Sequence, residues 1–186
     1  GWALVGLESG RQIEVSTCDA GNPCVFVRAA DVGLTGFEAP EAINTAPEQA
    51  LLREIRGKCG VRLGFWDDWR ADDLPGMPML VLVAPPSQAQ HCDLMTRLLY
   101  TTICHTSIAA TGAICVAAAA SIPGTVAHAA GVQGEPGVVR IGHPTGVTPV
   151  RVQLSAGDTT PPHFEVLGFA CTARRLLAGA VFVPID

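Results

Sequence analysis

The chain has 186 residues, 48% hydrophobic and 16% charged, which supplies a core for one ordinary domain and excludes a disordered polypeptide. A balance of 12 basic against 17 acidic residues gives a net charge of −5 without any Lys/Arg cluster, and this argues against a nucleic-acid partner. Apolar runs stay shorter than the roughly 18 residues a membrane helix needs, and Gly1–Glu8 has neither the basic nor the long apolar part of a secretory signal.

Strand signals, rich in Val, Ile and Phe and bounded by Gly, Pro or Asp, begin with Ile13–Thr17 and Pro23–Arg28. Thr45-Ala-Pro-Glu48 then places Pro and Glu in the first turn of a helix through Lys58, with Leu51, Leu52 and Ile55 on one face. Strands are expected at Val61–Trp66 and Met79–Ala84, separated by an Asp-rich loop from Asp67 to Pro78. Residues 88–102 read as a second, amphipathic helix.

The run from Ile108 to Ser121 is almost free of charge and rich in small residues, which predicts a third helix buried on all sides and ended by Pro123-Gly124. Strand signals follow at Val138–Gly142, Val147–Leu154, His163–Thr172 and Ala180–Pro184, with a loop at Ser155–Pro162. Strands outnumber helices and the longer helices sit mid-chain. The expectation is an α+β fold: one lobe, 1–186, with a curved mixed sheet wrapped around the buried helix.

Function is sought at the start of that helix, where unpaired N–H groups and the positive dipole end suit a carboxylate. Thr111 and Gly112 read equally as an N-cap with a packing glycine or as a site open to an anion, together with the Ala110 amide. Asp19-Ala-Gly-Asn-Pro23 is either plain turn chemistry or a turn that presents the Asn22 amide to a substrate carboxylate. Gly142-His-Pro-Thr-Gly146 is likewise a surface turn, or a loop in which His143 supplies a hydrogen bond or a positive charge while Thr145 and Gly146 add donors. One of Arg174 and Arg175 is a further candidate for a carboxylate clamp.

The sole lysine, Lys58, suits a helix C-terminus better than catalysis. Seven cysteines without a CxxC pair read as reduced, buried thiols of a cytoplasmic protein. His91-Cys92 and Cys104-His105 match no zinc spacing, and neither a GxGxxG nor a Walker loop nor a nucleophile elbow occurs, so no metal or organic cofactor is expected.

Several blocks resemble, in order, the C-terminal half of the PrpF-type 2-methylaconitate isomerases, whose relatives act on methylitaconate, aconitate and oxalomesaconate. They are Asp19-Ala-Gly-Asn-Pro-Cys-Val-Phe-Val27, Leu34-Thr-Gly36, Ala84-Pro-Pro86, Thr111-Gly-Ala-Ile-Cys115, Ile122-Pro-Gly-Thr125, Arg140-Ile-Gly-His-Pro-Thr-Gly146, Thr172-Ala-Arg-Arg-Leu176 and Val181-Phe-Val-Pro184. The resemblance implies a diaminopimelate-epimerase-like fold of two similar lobes, each a sheet around a helix, with the active site between them. Asn22 matches the substrate-contacting Asn of the epimerase's Gly-Asn-Pro element.

The epimerase's second catalytic cysteine falls on Ala109, which cannot transfer a proton, so two-cysteine epimerisation is disfavoured. The family's base and acid, a lysine and a cysteine, belong to an N-terminal lobe absent from this sequence, and Lys58 matches no part of that motif. Ala110 and Thr145 stand where the family commonly has Gly and Ser. The implied activity is a 1,3-proton shift or cis–trans isomerisation of a small unsaturated di- or tricarboxylic acid, with the missing lobe or another chain, even a copy of this one, as partner. The rival is a non-catalytic binding or scaffolding protein derived from that lobe.

Overall fold

A computed structural model describes residues 2–86, 88–132, 134–156, 162–171, 173–180, 182 and 184. Nine strands, β1 (Trp2–Gly6), β2 (Gln12–Asp19), β3 (Pro23–Arg28), β4 (Met79–Ala84), β5 (Leu94–Tyr100), β6 (Ile103–Cys104), β7 (Val138–His143), β8 (Gly146–Leu154) and β9 (Phe164–Gly168), form one sheet. Its order is β1-β2-β3-β4-β5-β7-β8-β9, with β6 paired to β5. The β3–β4 and β5–β7 pairs are parallel and the rest antiparallel, so the sheet is mixed. Each parallel pair requires a long crossover. The first carries helices α1 (Pro40–Asn44) and α2 (Gln49–Leu63), the second α3 (Ala110–Ala120) and α4 (Val126–Ala130).

Helix α3 packs against β2 and β3 on one side and β7, β8 and β9 on the other, so the sheet curls around it. Its alanines make this enclosure feasible: Ala117, Ala118 and Ala119 are fully buried and let strands approach the helix backbone. A separate core fills the opposite face of the sheet, where Ile43 of α1 and Leu52, Ile55 and Cys59 of α2 cover Val25, Val27, Leu80 and Leu82. The α+β architecture expected from the sequence is therefore observed, with an outer helical layer added. Among the described residues no helix is long and apolar enough to cross a membrane.

Two expected elements differ, and one observed strand was not expected. The strand expected at Val61–Trp66 is the end of α2, which runs past Lys58 because Cys59 and Gly60 stay buried against the sheet and Trp66. It stops at Gly64, whose left-handed φ of 76° lets its N–H reach Gly60 O and Val61 O. The helix expected at 88–102 is a short 3-10 turn at Gln88–Gln90 followed by β5. Leu94 to Leu99 are all buried because β5 is central and covered on both faces, which erases the two-residue alternation of a half-exposed strand. Edge strand β1 carried no recognised signal.

The strand expected at His163–Thr172 is present as Phe164–Gly168, and Thr172 lies outside the described residues. For the strand expected at Ala180–Pro184, Val181 and Val183 also lie outside them, and Ala180, Phe182 and Pro184 carry no regular structure. The Ser155–Pro162 loop falls partly outside, at residues 157–161.

Gly112 shows why α3 seats so closely. It is buried, and a methyl group there would drive into Leu98 and crowd Met79. Gly112→Ala is therefore expected to destabilise the chain by about 1–3 kcal/mol through overpacking, despite the better helix propensity of alanine. Urea unfolding of the two chains checks this, and an unchanged midpoint would contradict it.

Candidate functional site

The start of α3 is open and uncapped. Ala109 leads in with extended backbone and no side-chain cap, and the first helical hydrogen bond is that of the Ala113 N–H to Ala109 O, at 2.8 Å. The amides of Ala110, Thr111 and Gly112 precede it and have no partner among the described residues. Ala110 and Thr111 are exposed, so this end of the helix presents its donors and its dipole outward. Gly112 is present for packing, as shown above, although its amide remains at the tip.

Asn22 reaches the same place from the β2–β3 turn. Its Nδ2 donates to Thr111 Oγ1 at 2.7 Å. That bond fills an acceptor position on the hydroxyl and leaves the Thr111 O–H, along with the second Nδ2 hydrogen, to point elsewhere. Gly21 sustains the turn with a φ of 95°, a conformation costly for other residues, where Thr111 packs against it.

His143 ends β7, and Pro144-Thr145 make a two-residue turn back to Gly146, its register partner. Only 6% of His143 is exposed. Its Nδ1 shares hydrogen bonds with Ser107 Oγ at 3.4 Å and Thr145 Oγ1 at 3.3 Å, and its Nε2 with Thr148 Oγ1 at 3.0 Å. Burial, and then the nearby charges of Arg97 and His105, hold its pKa below the usual histidine value. Near neutral pH it is therefore a neutral hydrogen-bonding ring, and the positive charge considered for it is not favoured.

A folded-state pKa below the unfolded value of about 6.5 gives stability that is present above that value and lost as pH falls through the folded pKa. Unfolding midpoints of the chain and His143→Gln should accordingly converge as pH drops from 7.5 to 5. Parallel curves would contradict this.

Two groups escaped the sequence reading. Arg97 on β5 is 4% exposed, with Nε donating to Glu38 O at 2.6 Å and Nη1 to Thr96 O at 2.8 Å. It forms no ion pair among the described residues. The neighbouring Glu38 carboxylate is held by Thr35 N and Oγ1 and by Gly36 N instead. A buried guanidinium whose hydrogen bonds go only to carbonyls has no directly paired carboxylate, which suits a ligand's carboxylate. Ser107 was the second, placed by the approach to α3 against His143. A fully buried strand hid Arg97; a lone cation in an otherwise apolar run, Leu94-Met-Thr-Arg-Leu-Leu99, was the available signal.

The segment 105–112 thus joins the two groupings, with Ser107 on His143 and Thr111 on Asn22. Beside it lies a cavity of about 280 Å³ lined by Ile108, Ala110, Val147, Thr148 and Phe169. A larger one, about 800 Å³, opens at the far end of α3 among Asp93, Ser121, His128 and Glu135. Its carboxylates make it unsuited to an acidic ligand, whereas the smaller cavity is lined without carboxylates and reaches Ala110, the first residue of α3.

The other candidates disperse. Arg174 and Arg175 are exposed in chain without regular structure, and neither makes a contact that brings it to the tip among the described residues. Lys58 lies within α2 and not at its end, where it pairs with Glu54 at 2.6 Å and donates to Gly6 O at 2.7 Å. Among the described residues no group of three His, Cys, Asp or Glu side chains could hold a metal ion. All seven cysteines are free; Cys18 is half-buried and Cys171 exposed, against the expectation of burial for every thiol.

Comparison with known proteins adds the family. The PrpF protein family matches residues 6–184. The 3-methylitaconate isomerase of Eubacterium barkeri is 36% identical over 186 residues, 92% of this chain and 48% of its own length. The 2-methyl-aconitate isomerase of Shewanella oneidensis is 31% identical, covering 89% of this chain and 45% of its own. A crystal structure of methylitaconate-delta-isomerase superposes with a TM-score of 0.86 at 34% identity, over 97% of this chain and 49% of that one. The chain spans about half the length of the relatives it matches.

Proposed function

Because the chain belongs to the PrpF family, we propose that it is one lobe of a cofactor-independent isomerase that moves a proton along a small unsaturated di- or tricarboxylic acid such as aconitate or methylaconitate. One substrate carboxylate sits at the tip of α3, bound by the Ala110, Thr111 and Gly112 amides, the Thr111 hydroxyl and Asn22. Arg97, with Ser107, neutral His143, Thr145 and Gly146, forms the second carboxylate position. The observation that carries this reading is the convergence of unpaired helix amides with the Asn22–Thr111 pair at an open surface.

Chemically, a base removes an allylic proton, the electrons of that C–H bond shift into a dienolate, and a proton returns at the far carbon. Negative charge then grows on the carboxylate nearest the broken bond. Fixed donors around it stabilise the intermediate without reorganising. This lobe supplies the donors. Its lysine is committed to Glu54 and Gly6, and burial holds the Cys59 and Cys104 thiols up at about 12 and about 11. On this reading the proton-transferring pair belongs to the other half of the protein, or to another chain.

Exposed Phe37, Tyr100 and Ile103 support such a partner. Phe37 adjoins Glu38, whose carbonyl holds Arg97, and Tyr100 is the register partner of Ile103. Free thiols throughout support a cytoplasmic location.

The test is NMR in deuterated water with aconitate, methylaconitate and methylitaconate, using this chain alone and joined to its other half. Solvent deuterium should enter a substrate only with both halves present. Binding without exchange under both conditions would favour the non-catalytic binding role, which the absence of a free lysine in this lobe also supports. No binding at all would overturn the reading.

A further inference from the structure

The β2–β3 turn that carries Asn22 has a weak closing rung. Asp19 is paired in register with Pro23, and proline offers no N–H to the ladder. Ala20 and Gly21 make no backbone hydrogen bond outside the strands, and Asp19 and Gly21 are exposed. A turn so loosely closed would let Asn22 wander from Thr111. Sulfur atoms occupy the place of the missing bonds. Cys115, one helical turn beyond Thr111 on α3, donates from Sγ to Cys18 O at 3.2 Å. Cys24, on the far side of the turn, donates from Sγ to Asn22 O at 3.6 Å. The half-buried Ala20 lies between these two anchored carbonyls, Cys18 O and Asn22 O.

We infer that Cys115 and Cys24 are positioning residues: their thiols form a hydrogen-bonding bed that fixes the 18–22 turn on α3 and so holds Asn22 at the carboxylate site. The inference rests on the proposed carboxylate-binding role of Asn22 for its functional consequence. Its structural part stands independently. Both thiols are fully sealed from solvent; the Cys18 side chain pulls the Cys115 pKa down, but the Cys24 side chain and burial outweigh it and push it up, so the proton stays on the sulfur, as a donor requires. Cys115 is used as a bridge between helix and hairpin and Cys24 as a brace within the hairpin, and neither as a nucleophile. This assigns a role to cysteines that the isomerisation chemistry leaves idle.

The experiment compares Cys115→Ala, which removes donor and acceptor, with Cys115→Ser, which keeps both, and Cys24→Ala as an independent cut. Two readouts are followed, the ¹⁵N-labelled side-chain amide of Asn22 by NMR and the dissociation constant for aconitate. Cys115→Ala should broaden or shift the Asn22 amide and weaken aconitate binding about fivefold, as expected for one lost hydrogen bond. Cys115→Ser should restore both to within about twofold.

A lower melting temperature with Asn22 and aconitate affinity unchanged would show the thiols to be core filling and overturn the inference. Hydrogen exchange on the unsubstituted chain provides a check that needs no variant. The Ala20 amide should be protected although its turn is exposed, and exchange at the rate of a free turn would overturn the inference. If the unsubstituted chain binds no aconitate, the carboxylate reading fails, while Ala20 protection and the Asn22 amide still judge the sulfur bed.

Discussion

Arg97→Met should lower aconitate affinity about 100-fold and leave the unfolding free energy within about 1 kcal/mol of the original. Breaking an ordinary buried ion pair strands a charge and costs roughly 3–5 kcal/mol. Arg97 has no such partner among the described residues, and burial lowers its pKa, a sign that the fold already holds this charge at a cost. Methionine keeps much of the aliphatic packing. It removes the desolvation penalty but leaves Glu38 O and Thr96 O without donors, two effects of opposite sign and similar size.

The ligand loses most. A substrate carboxylate that completes the guanidinium's vacant donors would lose a charge-assisted contact worth up to about 3 kcal/mol. Arg97→Lys retains the charge without the planar fork and should fall between, near tenfold. Calorimetry with aconitate and urea unfolding measure the two quantities separately. Loss of stability with undiminished affinity per folded molecule would make Arg97 a structural cation and remove the second carboxylate position.

How much of this was legible beforehand depends on where each residue sits. Pro23–Arg28 and Met79–Ala84 were read with their observed bounds because Pro, Gly and Asp punctuate them. The helix at 108–121 was clear from its alanines, as was its open start. The Asn22 turn and the His143 turn were found through their Gly and Pro signatures, and the structure brings each to the 105–112 segment.

What the sequence hid was burial on both faces. β5 has no alternation because α-helical layers or strands cover both sides, so its seven residues mimic a helix period and conceal Arg97 within them. The state of His143 was equally hidden, since it depends on burial and on Arg97 and His105, contributed from distant positions in the chain. The chemical identity of a residue is local; its charge state is tertiary.

That distinction is sharpest at Asn22, where Asn22→Asp changes one atom and should separate folding from binding in opposite directions. A carboxylate beside the free amides of Ala110 to Gly112 acts as a cap for α3 and favours its dipole, a gain of about 0.5–1 kcal/mol in stability. The same charge opposes an incoming carboxylate. At roughly 4 Å and an effective dielectric near 20 the repulsion is about 4 kcal/mol, which predicts a loss of aconitate affinity exceeding 100-fold.

Asn22→Ala, lacking the charge, should lose only about tenfold, and Thr111→Val a similar amount. The double variant should lose little more than either, because Asn22 works partly by fixing the Thr111 hydroxyl. Additive losses would mean that the two side chains contact the ligand independently. A tighter-folding Asn22→Asp that still binds aconitate normally would mean the tip of α3 is not where a carboxylate rests. Thermal unfolding and calorimetry on the same four chains decide among these, since capping and repulsion arise from one charge at one helix end.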